Sequence, residues 1–147
     1  MLSTKQKGNI TELKCITAFL EEGCTVSIPY GEDCRYDFIA DICGHLIRVQ
    51  SKTSRQDIDD SSITFSCQSH GSNTKENKRS AYSRSEVDYY STYFDGECYL
   101  VPVLDGLKAK RLRLKPPKNN QTAGISYAQN YLLKTQIQSI KERALLQ

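Results

Sequence analysis

The stretch that most constrains this chain is YDFIADICGHLIRVQSK, Tyr36 to Lys52. It reads as two short strands joined at Cys43-Gly44, with the glycine supplying the positive φ that a two-residue hairpin loop requires. Ile42 then faces His45, and the pairing runs outward through Ala40 with Ile47 and Phe38 with Val49. Opposite residues share a face of the sheet. One face holds Phe38, Ala40, Ile42, His45, Ile47 and Val49, a set suited to a core. The other holds Asp37, Ile39, Asp41, Leu46, Arg48, Gln50 and Lys52. In this register Asp37 lies directly opposite Gln50, and Lys52 projects one step beyond on the same side. A slip of one residue would exchange the faces, and the clean apolar set argues against one.

The rest of the chain is laid out as one mixed α/β domain over residues 1–147, long enough to bury a core. Apolar residues in KGNITELKCITAFLEE (7–22) recur at helical spacing, with Ile10, Leu13, Ile16, Thr17 and Leu20 on one arc and Gly23 as a stop. TVSIPY (25–30), SITFSC (62–67) and CYLVPV (98–103) read as strands, and QSHGSNTKENKRS (68–80) as a mobile polar loop. SEVDYYSTYF (85–94) has Ser85 as an N-cap ahead of Glu86 and Asp88, which predicts a helix. Two prolines and a glycine make 115–124 irregular, and 126–146 reads as helical.

No apolar run approaches the ~20 residues that span a bilayer, and MLSTKQKGNITELK carries no apolar run before a small-residue cleavage site. The expected setting is cytoplasmic, with no membrane partner. The six cysteines include no CxxC pair, so reduced and mostly buried thiols are expected rather than a disulfide framework. Cys34, Cys43 and His45 match no zinc spacing.

Charge is unevenly placed. Residues 1–50 hold 5 Lys/Arg against 7 Asp/Glu, while residues 51–147 hold 15 against 10. From Gly106 to Lys141 there are eight basic residues and no acidic one, six of the eight in GLKAKRLRLKPPK. Such a block is a solvated surface or a footprint for a polyanion.

The polar hairpin face has a chemistry of its own. A carboxylate beside a side-chain carbonyl oxygen can hold a hard cation such as Mg²⁺, and a lysine next to that ion can orient a water. That combination suits metal-assisted attack on a phosphodiester. Against it stands the ordinary reading, in which a strand pair simply shows one polar face to solvent. Glu12 weighs on the choice: it flanks the apolar arc of the first helix, and a helix packed beside the hairpin would lean it over the polar face as a second acid.

Glu12, then Asp37 opening a strand, then Gln50-Ser51-Lys52 on the next, resembles the signature of the PD-(D/E)XK nucleases. The lead-in KGNITE is similar to the opening of archaeal Holliday-junction resolvases. YSRSEVDYYSTYFDGECYLVPV and RLRLKPPKNNQTAGISYAQNY resemble the homing endonucleases of this superfamily encoded in cyanobacterial group I introns. The resemblance spans roughly 5–135. It implies a restriction-endonuclease-like core, a mixed sheet flanked by helices, with a basic DNA-contacting elaboration over about 106–147. Two departures stand out: Tyr36 precedes Asp37 where the family often has proline, and Gln50 stands in place of its usual Glu. Glutamine keeps the oxygen ligand but loses a unit of charge, which Asp41 or Glu12 would have to make up.

By that resemblance, Asp37 is the main metal ligand, Gln50 lends its carbonyl oxygen, Glu12 serves a second metal or its waters, and Lys52 positions the attacking water. The cofactor is Mg²⁺ or Mn²⁺, and the products are a 5′-phosphate and a 3′-hydroxyl. Arg48 is either a phosphate contact or a surface charge. One such site cuts one strand, so a double-strand break calls for a homo-oligomer, dimer or tetramer, on double-stranded DNA with a long pseudo-palindromic site. DNA contacts are expected from Arg55, Lys75, Lys78, Arg79, Lys108, Lys110, Arg111, Arg113, Lys115, Lys118, Asn119, Asn120 and Gln121. KRLRL (110–114) alternates charge and leucine, as a strand with one face on DNA and one on the core would. The competing readings are a junction resolvase or restriction-type nuclease with the same site residues, and a non-catalytic DNA- or RNA-binding module on a degraded nuclease fold, which Gln50 invites.

Overall fold

The computed structural model describes residues 1–70, 79–117, 119, 121 and 123–146, with His70 and Arg79 described by backbone alone. The hairpin is at its centre. Strands β2 (Phe38–Ile42) and β3 (His45–Ser51) pair antiparallel with Phe38 opposite Val49, Ala40 opposite Ile47 and Ile42 opposite His45. Cys43 (φ 51°) and Gly44 (φ 86°) both take the left-handed conformation that this two-residue loop demands. Asp41 closes the turn by accepting the Gly44 N–H at 2.7 Å.

β2 and β3 belong to a five-stranded mixed sheet in the order β1-β2-β3-β8-β9, with β1 (Thr25–Ser27), β8 (Tyr89–Phe94) and β9 (Glu97–Pro102). β3 and β8 run parallel and the other neighbours antiparallel. A second sheet has the order β10-β5-β4, from β4 (Arg55–Gln56), β5 (Ser62–Ser66) and β10 (Ala109–Arg113). A short ribbon pairs β6 (Gln68–His70) with β7 (Arg79–Ala81). The helices are α1 (Thr4–Glu21) and α2 (Leu133–Leu145). Among the described residues no helix is long and apolar enough to cross a membrane.

The five-stranded sheet is covered on both faces. One face meets the helices: Phe38, Ala40, Ile42, Ile47, Val49 and Leu100 pack with Cys15 and Phe19 of α1 and Leu133, Ile137 and Ile140 of α2. The Phe19 and Phe38 rings meet edge to face at 5.5 Å. The other face meets the second sheet, where Tyr90, Val101 and Val103 pack with Ile63, Phe65 and Leu112. β9 shows the alternation directly, with Leu100 on the helix side and Tyr99 and Val101 on the sheet side.

Several expectations from the sequence are corrected here. Residues 85–94 are not helical. A turn at Ser83–Val87 leads into β8, a strand buried on both faces from Tyr89 to Thr92, so its sequence shows no alternation to read. Asp88 is no cap acid; it accepts hydrogen bonds from Arg48. The expected polar loop 68–80 has ordered arms in β6 and β7, its middle lying outside the described residues. β1 ends at Ser27, short of Pro29.

The helix expected over 126–146 is split. Ala128–Tyr131 forms a 3-10 turn, and an extended Leu132, bridged to Tyr99, separates it from α2. In α1 the buried residues are Thr11, Cys15 and Phe19, whereas Leu13 and Leu20 of the expected arc are exposed. His45, placed on the core face by alternation, is exposed at the loop end. All six cysteines are free thiols, four buried and Cys34 and Cys43 exposed.

Candidate active site

The end of the hairpin opposite its loop gathers the predicted acids and the lysine. The regular ladder stops at Phe38 with Val49. Asp37, one residue earlier, donates its N–H to the Val49 carbonyl at 2.8 Å, one residue short of Gln50. The direct opposition of Asp37 and Gln50 expected from the register is therefore replaced by an offset, as in a bulge that re-aims a side chain. The Asp37 carboxylate reaches across and accepts the Ser51 backbone N–H at 2.8 Å. This ties it between Gln50 and Lys52 in the sequence of the neighbouring strand.

α1 docks against the same strand end. Thr11 and Thr53 share a hydroxyl hydrogen bond of 3.3 Å, and the Ser51 hydroxyl lies 3.9 Å from the Cys15 sulfur. Glu12 follows Thr11, and the choice of the Thr11–Cys15–Phe19 face brings it close to Asp37. Burial pushes the Glu12 carboxyl above its usual range, and the Asp37 charge adds to that. Burial also raises Asp37, offset in part by the Ser51 N–H and by Lys52. Lys52 is pulled below the usual ammonium range by burial, with the Arg35 charge adding and Asp37 and Cys67 opposing.

Lys52 is held at both ends. Its backbone N–H extends the β3–β8 ladder by donating to the Ser91 carbonyl at 2.8 Å. Its ammonium donates to the Gln68 carbonyl at 2.9 Å and lies 4.9 Å from the centre of the Tyr82 ring. Arg35 stacks on that ring as well, at 4.3 Å. Neither Tyr82 nor Arg35 was legible as part of the site. Tyr82 is remote in sequence and has no spacing signal, and Arg35 shows only as a charge two residues before Asp37.

Two half-buried carboxylates, both pushed toward their neutral forms chiefly by burial, fit a hard cation. Asp37 and Glu12 would hold it, with the amide oxygen of half-buried Gln50 as a third ligand. Among the described residues no cluster of three or more His, Cys, Asp or Glu side chains that could hold a metal gathers. Asp41 is not available to complete it, since it lies four residues away, ~13 Å along the strand, and closes the turn. Arg48 is committed elsewhere: it makes a two-pronged pair with Asp88 at 3.0 Å for each prong and donates to the Ser85 and Arg84 carbonyls.

The basic residues fall into distinct places. Lys110, Arg111, Arg113, Lys115, Asn119 and Gln121 line one cleft of about 800 Å³. Arg55 and Arg111 both pair with Thr64, from opposite sides, so the three form a rung across the outer face of the small sheet. Leu112 is fully buried on the inner face, as the alternation of KRLRL predicts. Lys110 shares that inner parity and turns its ammonium to the Ser126 hydroxyl at 2.9 Å and over the Tyr131 ring. Arg111 pairs with Asp57 at 3.4 Å, and the Arg113 Nε donates to the Lys115 carbonyl. Lys108 is exposed; Lys75, Lys78, Lys118 and Asn120 and the Arg79 side chain lie outside the described residues.

No curated protein matches the chain. Among solved structures it is similar to I-Ssp6803I, described as a bacterial homing endonuclease, with a TM-score of 0.77, 22% sequence identity and 99% of each chain covered. That likeness is one of fold. In sequence, residues 2–134, which include Glu12, Asp37, Gln50 and Lys52, match the PD-(D/E)XK endonuclease model, and the chain belongs to that family.

Proposed function

We propose that this protein is a site-specific homing endonuclease that makes double-strand breaks in DNA by Mg²⁺- or Mn²⁺-dependent hydrolysis. The observation that carries the reading is the convergence of Glu12, Asp37 and Lys52 at one end of the hairpin, where the Asp37 charge adds to burial in raising the Glu12 carboxyl and Lys52 opposes the rise that burial causes at Asp37. A divalent metal bound there supplies a polarised phosphate and an acidified water. Asp37, fixed by the Ser51 N–H, offers its second oxygen as ligand. Gln50 contributes its carbonyl oxygen and Glu12 the remaining charge. Lys52 orients the attacking water and meets the charge that builds on the phosphate.

The cleft lined by Arg111, Arg113, Lys115, Asn119 and Gln121, with Arg55 on the same small sheet, takes the DNA. Arg and Lys suit phosphates and guanine edges, and Asn and Gln suit adenine. With one such site per chain, the active form is at least a dimer, and its target has matching two-fold character.

The test is cleavage of a plasmid pool carrying candidate intron-insertion sites, with wild type and Lys52→Ala, with and without Mg²⁺ or Mn²⁺. Discrete cuts that need the metal and vanish in Lys52→Ala support the reading. Preferential cutting of four-way junctions without sequence preference would reassign it to a resolvase. Gln50 favours one second reading, a binding module on a degraded site; tight binding without cutting under any divalent metal would establish that instead.

A further inference from the structure

The cleavage chemistry leaves Arg35, Tyr82 and the β6–β7 ribbon without a role, yet all three surround Lys52. We infer that Arg35 is a positioning residue for Lys52, acting through the β6–β7 ribbon that supplies the Gln68 carbonyl. The inference rests on the nuclease reading above and on the part Lys52 plays in it.

A lysine ammonium sits on a flexible four-carbon stem, with much rotamer freedom to lose. Aiming it at a reacting phosphate requires fixed partners, and here the hydrogen-bonding partner is the carbonyl of Gln68. Gln68 belongs to a ribbon of three pairs, Gln68 with Ala81, Ser69 with Ser80 and His70 with Arg79, which joins neither larger sheet. An isolated two-stranded ribbon is marginally stable by itself. Arg35 clamps it across both arms: Nη1 donates to the Ser69 hydroxyl at 2.7 Å and the Ser80 hydroxyl at 3.0 Å, and Nη2 to the Ala81 carbonyl at 3.1 Å. Its Nε pairs with Glu86 at 3.2 Å, anchoring the clamp to the turn before β8. The clamped pair, Ser69 with Ser80, is the rung next to the Gln68 carbonyl. Arg35 and Lys52 also stack on the one Tyr82 ring, so the two cations share a support.

A direct phosphate contact is the rival role for an arginine beside a nuclease site. Four of the five guanidinium N–H groups already have protein partners, which leaves no open fork for a phosphate. Lysine could not replace this geometry, since it lacks the planar fork.

The experiment compares wild type, Lys52→Ala, Arg35→Ala, the double variant Arg35→Ala/Lys52→Ala, and the pair Ser69→Ala/Ser80→Ala. Single-turnover cleavage is measured with Mg²⁺ at saturating enzyme, and the Kd for the same DNA without divalent metal at two salt concentrations. Arg35→Ala is expected to slow cleavage roughly 10–100-fold and the serine pair roughly 10-fold, with Kd within about threefold of wild type. Arg35→Ala on top of Lys52→Ala is expected to cost nothing further in the residual single-turnover rate that Lys52→Ala leaves, because the clamp acts through the lysine. A loss of binding matching the loss of rate, with a shallower salt dependence, would make Arg35 a phosphate contact and overturn the inference. So would additive losses in the double variant, or wild-type rates in both ribbon variants. If Arg35→Ala does not fold by circular dichroism, the serine pair decides, since it leaves the Arg35 pair with Glu86 and the Tyr82 stack in place. Wild-type protein that cuts no DNA sinks the nuclease reading and this inference together. Normal cutting by wild type and the ribbon variants, with only Lys52→Ala and the double variant slowed, sinks this inference alone.

Discussion

The Asp37 carboxylate accepts the Ser51 backbone N–H at 2.8 Å, a link from the residue that precedes one strand to the last residue of the next. It sets the acid beside Gln50 and Lys52 at the cost of crowding. Burial raises the Asp37 pKa, and Glu12 is raised by burial and then by the Asp37 charge.

Stability contributed by such groups is full below their unfolded pKa of about 4 and is lost as pH rises through the higher folded value. Asp37→Asn keeps an oxygen for the Ser51 N–H and removes the charge. In metal-free buffer at pH 7 its Tm should exceed that of wild type by about 2–4 °C, and the gap should close toward pH 4. Mg²⁺ should raise the Tm of wild type and leave Asp37→Asn unmoved. A gap that does not change with pH would remove the buried Asp37 charge as its cause.

In the proposed metal site Gln50 would supply an uncharged ligand where the family usually has an acid. Gln50→Glu adds a third negative charge, so the Mg²⁺ concentration for half-maximal cleavage should fall about tenfold. The measurement is a metal titration of the cleavage rate, and an unchanged midpoint would place residue 50 outside the metal site.

Arg48 tests the difference between a charge that folds the protein and one that binds DNA. Burial pushes the Asp88 carboxyl up, and the hydrogen bonds and charge of Arg48 outweigh it and hold the group low. Arg48→Ala should cost about 1–2 kcal/mol in urea unfolding, at the upper end for a half-exposed pair because the fork also satisfies two backbone carbonyls. DNA affinity of the folded variant should be that of wild type.

Arg111 and Arg113 should behave in the opposite way. Arg111→Ala or Arg113→Ala should leave stability within about 0.5 kcal/mol. Each should lower the slope of log K against log salt by about 1. Titration by fluorescence anisotropy at several salt concentrations reads this, and an unchanged slope would take the residue off the DNA surface.

The hairpin was legible because its signals are local. Cys43-Gly44 permits the left-handed loop, and alternation fixes which side chains face the core, since any slip would bury Arg48 and Lys52. Five of the six expected core residues are buried; His45 is not, because the sheet ends there. α1 was legible as a helix but not in its buried face. Ile10, Leu13 and Leu20 form as good an arc as Thr11, Cys15 and Phe19, and only the meeting of Phe19 with Phe38 selects the second. β8 failed as a sequence reading because a strand covered on both faces has no period, while Ser85 and Glu86 imitate a helix start.

Sequence alone thus determined the hairpin, its register from Phe38 to Val49, and the identity of the acids and the lysine at its open end. These depend on backbone conformation and on a period of two, which act over a few residues. Tertiary structure alone decided that Glu12 would stand near Asp37, that Asp41 and Arg48 would be used up in a turn and an ion pair, and that Lys52 would rest between Gln68 and Tyr82. Those outcomes turn on which buried surfaces pack together, a choice made by the shapes of residues far apart in the chain.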